Sequence, residues 1–166
     1  HYHPDLRLAD RAVVGAEALV RWRRPGSGLI RPDDFISVAE ETGLIVQLDR
    51  WVLFEACRQV ARWRRQGLGP RLRVSVNLSA RQLSDPDLPL VVADALGRAG
   101  LPGGALVIEI TESALAQDTD AALETLGRLN DQGVQLAIDD FGTGYASLDY
   151  VRRFSMADQL KIDRGF

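Results

Sequence analysis

Apolar, β-branched runs that read as strands alternate along this chain with longer stretches of helical period, and several of those stretches stop at a glycine. That alternation confines the fold to the α/β class, because a strand, a helix and a parallel strand form the repeating crossover unit. Strands are expected over residues 2–8, 12–22, 72–79, 106–112, 134–139 and 159–162. Between them, a short helix opens at Pro32 and stops at Gly43, and a long helix carrying Leu48, Trp51, Val52, Ala56, Val60 and Trp63 stops at Gly67. Trp51 and Trp63 are expected in the core. Further helices are expected over residues 86–99, through Leu123, Leu126 and Leu129 to Gly133, and as a last turn over 147–153. Units of this length build either a doubly wound sheet or a barrel. Six strands give either an open sheet or a barrel without its last quarter, since a full barrel needs about 250 residues.

With 166 residues and 46% hydrophobic content, the chain is expected to form one domain over residues 1–166. A net charge of −3 argues against binding a nucleic-acid polymer, although Arg62, Arg64 and Arg65 form a local basic cluster. Cys57 is the only cysteine, which excludes an internal disulfide and a multi-thiolate zinc site. There is no membrane-length apolar run, so no membrane contact is expected from this segment, and the start lacks the regions of a signal peptide. A cytoplasmic location is expected. The abrupt start and finish suggest a part of something longer.

The chemistry gathers at strand ends. The run 134–138 leads into Asp139-Asp140-Phe141-Gly142-Thr143-Gly144, two adjacent carboxylates followed by a glycine-rich turn. Paired carboxylates repel one another unless a cation offsets the charge; the plain alternative is a solvated helix cap. Glu17, Asn77 and Glu109 stand in or at the ends of three other strands. Three carboxylates and an amide form an all-oxygen set suited to magnesium or manganese, with Asp140 available to a second ion. Such ions polarise a phosphoryl oxygen. Lys161 is placed to orient or deprotonate an attacking water, or to balance phosphate charge. For each residue a structural role competes: Glu109 in a buried ion pair, Asn77 as a strand-end hydrogen-bonding group, Lys161 in solvent, Arg21 paired with a surface carboxylate, His3 as a tag residue near the terminus or a core histidine.

Together these motifs resemble the EAL domain family. The resemblance is carried by Glu17-Ala18-Leu19-Val20-Arg21-Trp22, Glu41-Thr42-Gly43-Leu44-Ile45, Asn77-Leu78-Ser79, Glu109-Ile110-Thr111-Glu112, the Asp139 to Tyr145 segment and Lys161-Ile162-Asp163. It implies a modified TIM-type (β/α) barrel with an antiparallel first strand. About six strands are represented here, the last two βα units having no counterpart. It also implies a bacterial phosphodiesterase that opens cyclic di-GMP to linear pGpG with Mg2+ or Mn2+. The family's metal ligands fall on Glu17, Asn77, Glu109, Asp139 and Asp140, its general base on Lys161, and its loop-steadying glutamate on Glu112. Substrate contacts fall on Arg21, Leu19 and Asp163, and on His3 where the family usually carries glutamine. The segment 140–147 is implied to couple metal binding to homodimerisation. A receptor or dimerisation module without turnover is the alternative; a Schiff-base aldolase using Lys161 is a third reading.

Overall fold

A computed structural model describes residues 1–26, 28–115, 120–142, 155–163 and 165. The expected helix at 147–153 and most of the loop 140–147 lie outside these residues. Eight strands are present among them: β1 (Tyr2–Leu6), β2 (Val13–Ala18), β3 (Trp22–Arg24), β4 (Gly28–Ile30), β5 (Arg73–Asn77), β6 (Leu106–Thr111), β7 (Gln135–Phe141) and β8 (Gln159–Ile162). The helices are α1 (Ile36–Thr42), α2 (Ile45–Arg65), α3 (Ala80–Leu83), α4 (Leu88–Ala99), α5 (Glu112–Leu115) and α6 (Asp120–Asp131).

One sheet has the order β1-β2-β5-β6-β7-β8, with β1 antiparallel to β2 and every later pair parallel. It is the six-strand arc of a (β/α)-barrel fold, and its antiparallel first strand is as expected. The two faces of its central strands separate by residue parity. Val74, Val76, Ile108, Ile110, Leu136 and Ile138 pack into one core with Leu53 and Val60 of α2, Val92 of α4 and Leu126 and Leu129 of α6. Each such side chain contributes about 1.5–3 kcal/mol by leaving water. The alternate residues Ser75, Val107, Glu109 and Ala137 are also buried but lie outside that cluster, on the inner face. A strand that is apolar on its helix side can therefore carry chemistry on the other.

Helix ends and turns set the spacing. Gly100 takes a φ of 67°, closing α4 while Leu101 N–H returns to the Leu96 carbonyl at 3.0 Å. Gly103 is required by close approach: a Cβ there would stand 2.0 Å from the Gln132 carbonyl oxygen.

Four expectations needed correction. The run 12–22 is not one strand: β2 stops at Ala18, and Trp22 opens an antiparallel ribbon with β4. The Pro25-Gly26 turn, with Gly26 at φ 78°, folds the chain back and gives β3 a partner of its own. The first strand ends at Leu6, where the pairing slips one residue, rather than at Leu8. Glu112 opens α5 instead of ending a strand. Trp51 is 59% exposed, because it lies about 160° around α2 from the stripe through Leu53, Ala56, Cys57 and Val60. Trp63 packs as expected, its ring edge-on to Tyr2 with centroids 4.8 Å apart.

Candidate metal centre

Glu17 on β2, Asn77 at the last position of β5, Glu109 on β6, Asp139 on β7 and Lys161 on β8 meet at the C-terminal ends of their strands. Register explains the meeting: Asn77 lies opposite Glu109, Thr111 opposite Asp139, and Ala137, two before Asp139, opposite Gln159, two before Lys161. All five side chains thus share the inner face. Among the described residues, Glu17, Glu109 and Asp139 each offer an oxygen within 4.8 Å of the other two, a group that can hold a metal ion. Asn77 Nδ2 donates to Glu17 Oε1 at 3.0 Å. Lys161 Nζ donates to Glu109 Oε2 at 2.7 Å and reaches Glu17 Oε2 and Asp139 Oδ2 at 3.4 Å each.

The electrostatics follow from this crowding. Burial pushes the Glu109 carboxyl up to about 7, with Glu17 adding to the rise, although the Lys161 hydrogen bond and charge and the Ser75 hydroxyl oppose it. Burial works against the Lys161 ammonium, but the bond to Glu109 and the charges of Glu109, Glu17 and Asp139 outweigh it and hold Lys161 above the usual lysine range. Lys161 is the only described cation bridging these three carboxylates, and it already occupies a place where positive charge is favoured. The donor set is all oxygen, which suits a hard divalent cation. Glu109 forms the buried ion pair weighed from the sequence and also belongs to the acidic group.

The remaining expected residues surround this centre. Asp140 is exposed and lies outside the three-carboxylate group, with its backbone at φ 54°, and its carboxyl is raised by burial and by Asp139 and Asp163. Glu112 is buried and its Oε2 accepts the Gly142 N–H at 3.1 Å, tying the start of α5 to the end of β7. Arg21 Nη1 donates to the Val20 carbonyl at 2.7 Å, and no surface carboxylate pairs with it among the described residues. Leu19 and Arg21 line a cavity of about 480 Å³ that also reaches Asn77 and Thr111. His3, exposed, lies opposite Glu17 on the neighbouring strand. Asp163 Oδ1 accepts the Gly165 N–H at 2.7 Å.

Three contributors escaped the sequence reading. Ser75, buried on the inner face two residues before Asn77, favours the charged form of Glu109. Asp5 sits inside the arc, its carboxyl raised by burial while Lys161 opposes the rise. Asp49 on α2 lines the 480 Å³ cavity and accepts the Ser79 N–H at 3.2 Å, fixing the turn after Asn77. The signal for Asp49 was an acid flanked by Leu48 and Val52 on a partly buried helix face.

An arc of parallel strands with an acidic, lysine-bridged centre at the strand C-termini defines a (β/α)-barrel protein with a metal-competent site. The chain belongs to the EAL domain family, whose model matches residues 1–166. It is 50% identical over 166 residues to "Cyclic di-GMP phosphodiesterase NbdA" of Pseudomonas aeruginosa, covering 100% of this chain and 21% of that protein. It is 44% identical over 166 residues to "Cyclic di-GMP phosphodiesterase PdeR" of Escherichia coli, covering 100% of this chain and 24% of that one. The chain therefore spans about a fifth to a quarter of these curated relatives. Among solved structures, "PaMucR Phosphodiesterase, c-di-GMP complex" superposes with a TM-score of 0.92 at 47% identity, over 99% of this chain and 66% of that one.

Proposed function

We propose that this chain carries the metal site and proton-transfer lysine of a phosphodiesterase that hydrolyses cyclic di-GMP to linear pGpG with Mg2+ or Mn2+. The observation that carries the reading is the convergence of Glu17, Glu109 and Asp139 on Lys161 Nζ at one end of the sheet. Relatives with 44% and 50% identity are named cyclic di-GMP phosphodiesterases, and a 47% identical structure is a cyclic di-GMP complex.

In this reading Glu17, Asn77, Glu109 and Asp139 hold the ion, with Asp140 serving a second. Bound there, a hard divalent cation supplies Lewis-acid polarisation of a phosphoryl oxygen and offsets the carboxylate charge. Arg21 binds phosphate, Leu19 packs against the ligand in the neighbouring cavity, and His3 and Asp163 contact it at the rim. Lys161 takes a proton at Nζ as water attacks phosphorus. One P–O ester bond breaks, and the departing oxygen takes a proton from solvent, leaving a phosphomonoester and a hydroxyl. A base role requires a neutral amine, so the carboxylate charge that now holds Lys161 protonated has to be neutralised first. Glu112 holds the turn at Gly142. Self-association through the segment 140–147 and a cytoplasmic setting belong to the same reading; no described helix is long and apolar enough to cross a membrane.

Incubation with cyclic di-GMP and manganese, with products separated by chromatography, tests it against Lys161→Ala. Linear dinucleotide from the unmodified protein alone is expected. Ligand binding by both proteins without product would instead establish a receptor.

A further inference from the structure

A second concavity, of about 710 Å³, opens at the other end of the sheet, where the strands begin. Its wall includes Arg7, Arg64, Arg71, Arg73 and Gln135, and among the described residues it contains no Asp or Glu. That is notable in a chain with 23 acidic residues against 20 lysines and arginines. Arg7 is spoken for, donating through Nε and Nη2 to Asp10 at 2.9 and 2.6 Å. The other three are differently placed. Arg64 Nε donates to the Leu72 carbonyl at 2.9 Å and Arg73 Nη1 to Gln135 Oε1 at 2.7 Å, so both side chains are fixed while their remaining N–H groups have no partner among the described residues. Arg71 makes no side-chain hydrogen bond or ion pair with a described residue. Burial lowers the Arg64 pKa with no carboxylate to offset it. Asp5, which feels the Arg73 charge, lies across Gly15 inside the arc and outside this wall.

We propose that this concavity binds a soluble di- or triphosphate anion through Arg64, Arg71 and Arg73. Guanidinium groups pair with phosphate oxygens in a bidentate manner, and three arginines lining one cavity favour a multivalent anion over a single carboxylate. The volume is within the range of small-molecule sites, and the exposed Val13 and Leu68 at the wall offer apolar contact to the organic part of such a ligand. The site is separate from the carboxylate centre and does not depend on the phosphodiesterase reading.

Isothermal titration of the protein with inorganic pyrophosphate, in buffer free of divalent cations, tests this without engaging the metal centre. Saturable one-to-one binding is expected, weakened about tenfold in Arg71→Gln by the loss of a charge-assisted contact. It should be weakened further in Arg64→Gln/Arg71→Gln and unchanged in Arg58→Gln, which removes an exposed arginine outside this wall. Arg71 is exposed and holds no structural bond, so its variant carries the test even if the double variant fails to fold. Absence of saturable binding, equal affinity in folded Arg71→Gln, or capture of phosphatidylglycerol vesicles in place of pyrophosphate would overturn it.

Discussion

Lys161 Nζ lies 2.7 Å from Glu109 Oε2, joining two strands that are not neighbours in the sheet, since β7 runs between them. On the intervening strand Ala137 lies opposite Glu109 and opposite Gln159, two residues before Lys161, so the lysine crosses β7 diagonally on the inner face. Glu109 is only 3% exposed, so its charge relies on that ammonium in the absence of another cation.

Lys161→Met is therefore expected to destabilise the protein in chelator by about 2 kcal/mol, less than the roughly 3–5 kcal/mol of breaking a fully buried pair, because Lys161 is partly exposed. Added Mn2+ should recover much of the loss. Thermal melts with chelator and with Mn2+ measure both, and an unchanged midpoint in chelator would show that the ion pair does not support the fold.

Glu112→Ala should leave the global melting temperature within a few degrees, since one hydrogen bond is worth about 1 kcal/mol net. The Gly142 amide, which donates to Glu112 Oε2, should exchange with solvent markedly faster, and metal-dependent hydrolysis should fall. Hydrogen exchange that leaves Gly142 as protected as before would remove Glu112 from its anchoring role.

Gly103→Ala should cost more than about 2 kcal/mol, because the new Cβ meets Gln132 and Gly133 backbone, which cannot rotate away. Its neighbour is the control: a Cβ at Gly104 comes no closer than 3.8 Å to the Gly133 oxygen, so Gly104→Ala should be mild. Urea denaturation of the two variants decides, and equal midpoints would mean that the 102–105 turn can shift.

The Cys57 thiol is fully buried on α2 and burial pushes it up to about 12. Reaction needs the thiolate, so a thiol reagent at pH 8 should label the folded protein on the timescale of unfolding and the urea-unfolded protein at once. Rapid labelling without denaturant would show that α2 opens locally.

How much of this was legible in the chain depends on what each residue answers to. The strands β5, β6 and β7 could be read because their helix-side residues, Val74, Val76, Ile108, Ile110, Leu136 and Ile138, are apolar at fixed spacing. The break after Ala18 could not, since Val20 and Trp22 continue the same apolar alternation and only the return of Gly28–Ile30 onto Trp22–Arg24 separates them. Trp51 misled because period alone does not tell which stripe of α2 is the buried one. At the site, Glu17, Asn77, Glu109, Asp139 and Lys161 stood out as polar groups in or beside apolar strands, whereas Ser75, Asp5 and Asp49 carried too weak a local signal.

The sequence by itself determined the α/β alternation, the helix stops and which side chains point inward, because these depend on local periods of two and 3.6 residues and on glycine's freedom at turns. Only the tertiary structure decided that five residues spread from 17 to 161 share one small volume, that Lys161 bridges three carboxylates, and that arginines line the opposite mouth. Those outcomes depend on strand order and register, which set distances between segments far apart in the chain, and on the burial that then shifts the charge of each group.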